Sequence, residues 1–470
     1  MEYALIVGVC GAGAMGSGIA LVAAQAGAEV FIFDIDEAAC AKSREITEGS
    51  LRQSVERGRL LQDQADNVLK SMHWTAKLDD LSGCMLVVEA ILEDLAIKQS
   101  LFAQLEDVVA DDTIIASNTS SLSIARLAKP LRNPARFAGM HFFNPPAAMK
   151  LVEVISGPAT APNVAQRIVD IATSWKKVAV PVADVPGFIV NRVARPYYAE
   201  AFQALQQSAA PAPVIDHLFK AAAGFRMGPL ELTDLIGQDV NFSVARSVYD
   251  AYFGQTRFVP QLLQGSLVDA GWLGRKSGRG IYDYAGGSSN AAPAPISARP
   301  LRDAPTKLEI AGPGATPLEL EGVVVRFTRG LTARAEARTS GKPVVLLDWF
   351  DTTSAAACGF SASDEAAAEL GACLLTAWDM QPFRIADTPG LIITRTLAQI
   401  ANAAGDAVLD GVSNEAGIDS ALQFGANYPF GPFAWAGQVG GEAVVTTLQA
   451  IASATGHSIY NPSQYWTSRI

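Results

Sequence analysis

The stretch YALIVGVCGAGAMGSGIALVAAQAGAEVFIFDID, residues 3–36, decides the fold of the first part of the chain. Residues 4–10 form an apolar run that reads as a buried strand. Gly11, Gly13 and Gly16 follow as G-x-G-x-x-G, and the Ala-rich residues 14–26 read as a helix that Gly27 stops. Residues 29–33, EVFIF, are a second strand with Asp34 at its end. Gly11 permits a tight turn, Gly13 lets the backbone approach a pyrophosphate, and Gly16 lets helix and strand come close. Ala14 and Met15, between the last two glycines, belong to the same phosphate-facing turn. Asp34 lies 18 residues beyond Gly16, where a carboxylate accepts bonds from an adenosine ribose and repels a 2′-phosphate. The expected cofactor is therefore NAD. Asp36 is a weaker rival for the ribose because it falls past the strand.

Strand and helix keep alternating. Met85–Val88 is a strand candidate followed by a helix to about residue 109, and 113–128 repeats the pattern. Residues at the carboxyl ends of such strands face the cofactor crevice. Glu89, Glu93, Ser117, Asn118 and Ser120 are thus candidates to line it, although Ser120 or Ser121 could instead cap the next helix.

Residues 139–157, GMHFFNPPAAMKLVEVISG, contain strand-like pieces at 137–143 and 151–155, with Asn144-Pro145-Pro146 breaking the chain between them. Antiparallel pairing would set His141 beside Glu153. A carboxylate at one ring nitrogen fixes the tautomer and leaves the other nitrogen to take a proton from a hydroxyl. His73 reads as a surface residue before a strand, His217 lies in a helical pattern, and His457 sits in a glycine-bearing turn.

The bulk properties narrow the function. The chain has 470 residues, enough for two or three domains, and a formal net charge of -11, which argues against nucleic acid or anionic membrane as partner. No run reaches 18 apolar residues, and MEYALIVGVCGAG lacks a basic leader. Five cysteines without a CxxC spacing suit a reducing, cytoplasmic setting, and four scattered histidines suggest no metal cluster.

The strings CGAGAMGSGIA (10–20), VVEAILEDLAIKQSLF (87–102), SNTSSLSI (117–124), RFAGMHFFNPPAAMKLVEVISG (136–157), DVPGFIVNRVARPYYAEA (184–201) and MGPLELTDLIGQDV (227–240) carry a resemblance. They resemble the short-chain L-3-hydroxyacyl-CoA dehydrogenases, over residues 4 to about 284. The resemblance implies NAD-dependent interconversion of (S)-3-hydroxyacyl-CoA and 3-ketoacyl-CoA. It implies His141 as base, Glu153 as its carboxylate partner, and Ser120 and Asn191 as polar contacts to the substrate. It further implies Glu93, Lys98 and Asn118 near the nicotinamide half of the cofactor. Linear C4 and dicarboxylic C6 acyl chains both fit. The alternatives are another 3-hydroxyacid as substrate, or a catalytically silent NAD-binding protein.

An internal repeat extends beyond that region. DTPGLIITRTLAQIANAAGDAVLDG (387–411) repeats residues 184–208, and NYPFGPFAWAGQVG (427–440) repeats 224–237, both at an offset of 203. The position of Asn191 becomes Thr394, and that of Glu231 becomes Ala434. The expected architecture is an α/β Rossmann-type domain at 1–185, then an all-helical domain at 186–285. A linker and small degenerate α/β segment at 286–386 follow, with strand candidates at 320–327 and 342–350. A second helical copy without catalytic residues closes the chain at 387–470. The two helical copies are expected to pack as an intramolecular pseudo-dimer, with a homodimer through another face also open.

Overall fold

An eight-stranded sheet carries the first part of the chain. Its elements run β1 Ile6–Cys10, α1 Ala14–Gln25, β2 Glu29–Phe33, α2 Glu37–Glu56, α3 Gln62–Lys70, β3 Met72–Thr75 and β4 Leu86–Glu89. They continue through α4 Leu95–Val108, β5 Ile114–Ser117, α5 Ile124–Ala128, β6 Phe137–Phe142, β7 Leu151–Ser156, α6 Pro162–Ser174 and β8 Val178–Ala183. This is a computed structural model, and it describes residues 5–285, 293–306, 312 and 314–470. The start of the expected linker, 286–292, lies outside the described residues.

The strand order is β3-β2-β1-β4-β5-β6-β7-β8, parallel throughout except where β6 meets β7. The order reverses direction at β1, so a crevice opens at the carboxyl ends of β1 and β4. Val7, Val9, Val30, Ile32, Val88 and Ala116 are buried on the sheet against Ile19, Ala20 and Ala23 of α1 and Ile168 of α6. His73 differs from its sequence reading: it lies within β3, its ring 4.9 Å from that of Phe31. No described helix is long and apolar enough to cross a membrane.

A second group of elements begins with helices: α7 Val190–Val193, α8 Arg195–Gln206, α9 Ala212–Ala221, α10 Pro229–Ile236, α11 Gln238–Ala251 and α12 Leu262–Asp269. A small mixed part follows, with β9 Leu318–Leu320, β10 Val323–Phe327, α13 Ala333–Ser340, β11 Val344–Leu347, β12 Ala357–Ala362, α14 Glu365–Ala377 and β13 Gln381–Arg384. The chain ends in α15 Ile393–Leu409, α16 Glu415–Gly425, α17 Pro432–Val439, α18 Gly441–Thr455 and α19 Gln464–Thr467. The five strands form one sheet, β13-β12-β11-β10-β9.

This sheet repeats the β5–β8 half of the large one. β10 and β11 are parallel, β11 and β12 antiparallel, β12 and β13 parallel, as are β5 to β8 in turn. The caps repeat as well. Asp184 accepts the N–H groups of Ile124 and Ala125, and Asp387, 203 positions on, accepts those of Ala333 and Arg334. Each carboxylate thereby satisfies the open donors at the start of a helix.

Two compact units result: residues 1–189 with 412–425, and residues 190–411 with 426–470. α16 therefore leaves the second helical copy for the first unit, where it lies against β7 and β8. There the Ala183 N–H donates to Val412 O at 2.9 Å. In the second unit the Ala386 N–H donates to Ala209 O at 2.8 Å, the same pair shifted by 203 with the roles of the copies exchanged. In that unit α8 lies along α15. Arg192 pairs with Asp410 and Arg395 bonds Gln207, again a reciprocal pair at the same offset.

Candidate active site

The glycine turn is shaped as its sequence requires. Gly11 has φ 110°, and a Cβ there would meet Ala90 O at 2.5 Å. A Cβ on Gly16 would meet Gly11 O at 1.8 Å, whereas one on Gly13 would meet nothing within 4 Å. Open space thus lies over Gly13, the N-cap of α1. That helix has neither a capping side chain nor an acid in its first turn, and Gly13 and Ala14 are exposed. Met15, also in the first turn, is half-buried. The uncapped N–H groups are therefore available to an anion, and the turn fits a dinucleotide pyrophosphate. Asp34 is held by the Ala12 N–H at 2.8 Å and the Asp36 N–H at 3.1 Å. Asp36 itself caps α2 through the Ala38 N–H.

Beside this turn sits a cluster of charges at the ends of β4 and β5. Glu89 is fully buried, and Lys98, 1 % exposed, bonds its carboxylate. Ser117 Oγ donates to the other Glu89 oxygen at 2.6 Å. Lys98 also pairs with Glu93 at 3.1 Å. Glu93 Oε1 gathers the N–H groups of Ser120 and Ser121 and the hydroxyls of Thr119 and Ser121. Burial pushes the Glu93 carboxyl up, but the Thr119 bond and the Lys98 charge outweigh it and leave it below its ordinary value. The role of helix cap falls to Ser123, whose side chain accepts from Arg126 N. Ser120 is therefore an exposed serine on a loop whose backbone Glu93 holds.

His141 and Glu153 face each other across the antiparallel β6–β7 pair. His141 Nδ1 is 2.7 Å from Glu153 Oε2, and the two residues are 5 % and 1 % exposed. Glu153 Oε1 accepts the Ile189 N–H at 3.0 Å. The imidazole is in contact with two rings, Phe143 at 4.6 Å and Phe188 at 5.7 Å between centroids. Phe188 has φ 48°, a conformation costly for a bulky residue, after Gly187 at φ 77°. Asn118 Oδ1 accepts the Phe142 N–H, which ties the end of β5 to the strand that carries His141. Sequence reasoning missed Phe188 and Ile189. Their signal was the VPGF turn, which the repeat shows again with Gly390 at φ 75° and Leu391 at φ 55°. Asn191 lies in α7, within the second unit.

Residues 6–185 match the NAD binding domain of 3-hydroxyacyl-CoA dehydrogenase. Residues 187–284 and 390–470 both match the C-terminal domain of the same family. The chain belongs to the 3-hydroxyacyl-CoA dehydrogenase family. Residues 325–389 match a reduced Rossmann-fold domain of 3-hydroxybutyryl-CoA dehydrogenase, in accord with the half-sheet described above. A 3-hydroxyadipyl-CoA dehydrogenase of Escherichia coli (strain K12) is 41 % identical over 97 % of this chain and 95 % of its own. A probable 3-hydroxybutyryl-CoA dehydrogenase of Deinococcus radiodurans is 41 % identical over 59 % of this chain and 99 % of its own. Among solved structures, a 3-hydroxybutyryl-CoA dehydrogenase from Escherichia coli K12 aligns with TM-score 0.94 at 40 % identity. It covers 99 % of this chain and 98 % of that one. The family's cofactor is NAD, and the uncapped turn at Gly13 lies within the matched NAD binding domain.

Proposed function

We propose that the chain oxidises the 3-hydroxyl of an (S)-3-hydroxyacyl-CoA to the ketone, and runs the reverse reaction, with a short or dicarboxylic acyl chain. The observation that carries this reading is the buried His141–Glu153 pair beside the Asn118–Ser121 loop. NAD, when bound, accepts the hydride. Gly11, Gly13, Ala14, Met15 and Gly16 cradle its phosphates, Asp34 receives the adenosine ribose, and Glu93, Lys98 and Asn118 shape the nicotinamide end. His141 takes the hydroxyl proton on Nε2. Glu153 holds the ring through Nδ1 and stabilises the positive charge that develops there. Because Glu153 Oε1 is committed to the Ile189 N–H, its other oxygen is fixed toward the histidine. Ser120 and Asn191 orient the reacting oxygens.

One such site per chain is supported by the fate of the repeated half. Thr394 stands at the Asn191 position, and Asp348 stands beside Gly359, which pairs with Phe383, as His141 stands beside Glu153, which pairs with Val180. The second helical copy takes the place of a partner subunit's domain, which the reciprocal bonds Arg192–Asp410 and Arg395–Gln207 support. The expected setting is the cytoplasm. The reaction is tested by following NADH formation from a panel of 3-hydroxyacyl-CoA substrates. No NADH from any of them would overturn the reading.

A further inference from the structure

Arg195 is an anomaly in the helical unit. It opens α8, it is half-buried, and its Nε is fully shielded without a hydrogen-bond partner. The other arginines set deep in this unit have carboxylates: Arg192 has Asp410, Arg257 has Asp406 at 2.9 Å, and Arg395 has Glu200 at 2.8 Å. Among the described residues Arg195 pairs with no carboxylate, and its guanidinium instead lies 5.1 Å from the ring of Tyr198. Burial pulls its pKa down, and only two tyrosines, Tyr198 and Tyr428, act against that. The Tyr428 hydroxyl is likewise buried without a partner. An unpaired cation in such a place is costly unless something supplies the anion.

The helical fold does not need it. At the same position of the second copy the chain has Ala398, just as it has Thr394 in place of Asn191. The copy that has Thr394 in place of Asn191 also has no arginine at this position. Asn191 and Arg195 are one turn apart, with the Ala194 N–H donating to Val190 O at 3.0 Å between them. The four-residue step from Asn191 to Arg195 crosses the α7–α8 junction and at helical rise spans on the order of 6 Å, and three extended carbon–carbon bonds span about 4 Å. With the reacting oxygen held by Asn191 as proposed above, a group three carbons beyond C3 comes within reach of the guanidinium. Beside Arg195 is a cavity of ≈ 30 Å³ lined in part by Asn241 and Gln264. That is room for about two water-sized groups, the size of a carboxylate.

We propose that Arg195 is a specificity residue that pairs with the distal carboxylate of a six-carbon dicarboxylic 3-hydroxyacyl-CoA. The inference rests on the reading of His141 and Asn191 as the reacting site. The test compares kcat/KM for 3-hydroxybutyryl-, 3-hydroxyhexanoyl- and 3-hydroxyadipyl-CoA in the wild type, Arg195→Leu, Arg195→Gln and His141→Ala. The wild type should favour the adipyl over the hexanoyl substrate. Arg195→Leu should cut the adipyl value about a hundredfold, because a charge-paired site strongly rejects loss of its partner. It should leave the butyryl value within about threefold and erase the adipyl preference over hexanoyl. Arg195→Gln should show the same loss of preference should the leucine variant fail to fold. A preserved adipyl-to-hexanoyl ratio overturns the proposal, whether no rate falls or all three fall together. So does a wild type that prefers hexanoyl. Wild-type turnover in His141→Ala would instead sink the underlying site, independently of Arg195.

Discussion

Asp348 stands in the second half of the chain where His141 stands in the first. His141 pairs with Glu153 across β6 and β7, and Glu153 pairs with Val180 of β8. The Asp348 N–H bonds Gly359 O across the corresponding strands, and Gly359 pairs with Phe383, 203 positions beyond Val180. The pair His141–Glu153 has thus become Asp348–Gly359. Asp348 is fully buried and accepts the N–H groups of Ile392, Ile393 and Thr394 and the Thr394 hydroxyl. The position of the histidine has become that of an acceptor for the first N–H groups of α15.

That exchange separates stability from catalysis. Asp348→Ala leaves three buried N–H groups without their acceptor and should cost on the order of 2–4 kcal/mol in denaturant unfolding. Thr394→Ala removes one donor to Asp348 and one acceptor of the Trp349 N–H, and should cost about 1–2 kcal/mol. For either folded variant, kcat should stay within about twofold. A large fall in kcat at unchanged stability would place chemistry in the second half.

Replacing His141 with alanine should lower turnover by roughly 10²–10⁴ and leave NAD affinity nearly unchanged. Glu153→Gln should also slow the reaction, since an amide facing both Nδ1 and the Ile189 N–H cannot serve the two as a carboxylate does. Single-turnover rates with NAD titrations read both effects. Near-normal rates would remove the pair from the mechanism.

Asp34 should make NAD strongly preferred over NADP. The Ala12 and Asp36 N–H groups fix its carboxylate at the end of β2, where a 2′-phosphate would meet a negative charge. The ratio of kcat/KM for the two cofactors checks this, and a ratio near one would mean that Asp34 does not face the ribose.

Much of this site could be read in the sequence because its signals are local. The glycine turn needs three residues in fixed spacing, and antiparallel pairing of two strand-like pieces across a proline break put His141 beside Glu153. The small sheet was harder to read. β12 reads ACGFSA, small residues apart from Phe360 and none β-branched, and it is a strand because β11 and β13 flank it. β13 contains Pro382, which also masks a strand. Glu93 as anchor of the Thr119–Ser121 loop depends on contacts 26 to 28 residues away, beyond any local pattern. The same holds for α16: its repeat partner is a helix of the helical domain, and nothing local says that α16 lies on β7 and β8.

Asp216 supplies a pH dependence. Burial raises its carboxyl from 3.8 to about 6, against bonds from Tyr282 and the Leu230 and Glu231 N–H groups. A raised native value means that the folded chain holds the proton more tightly. The associated stability is full below about pH 4 and is lost as pH rises through about 6. Asp216→Asn, which does not titrate, should lose less stability than the wild type between pH 4 and 7. The difference should be on the order of 2–3 kcal/mol at most. Thermal unfolding across that range checks the slope, and parallel curves would contradict it.

Removing residues 387–470 tests what the second copy does for the rest of the chain. The cut strips α16 from β7 and β8, together with the Ala183–Val412 bond. β8 is the last strand of the eight-stranded sheet, so its edge loses cover. An uncovered edge strand with newly exposed apolar surface is a template for association. In the helical unit the same cut bares the side of α8 that lies along α15, and leaves Arg192 without Asp410 and Glu200 without Arg395. Breaking a buried pair by removing one partner is strongly destabilising. The truncated chain should therefore aggregate, or pair with itself through α8 as the second copy now does. Light scattering behind size exclusion separates these from a monomer. A soluble, monomeric and fully active product would show that the first unit and the first helical copy need no cover, and that the second copy serves something other than packing.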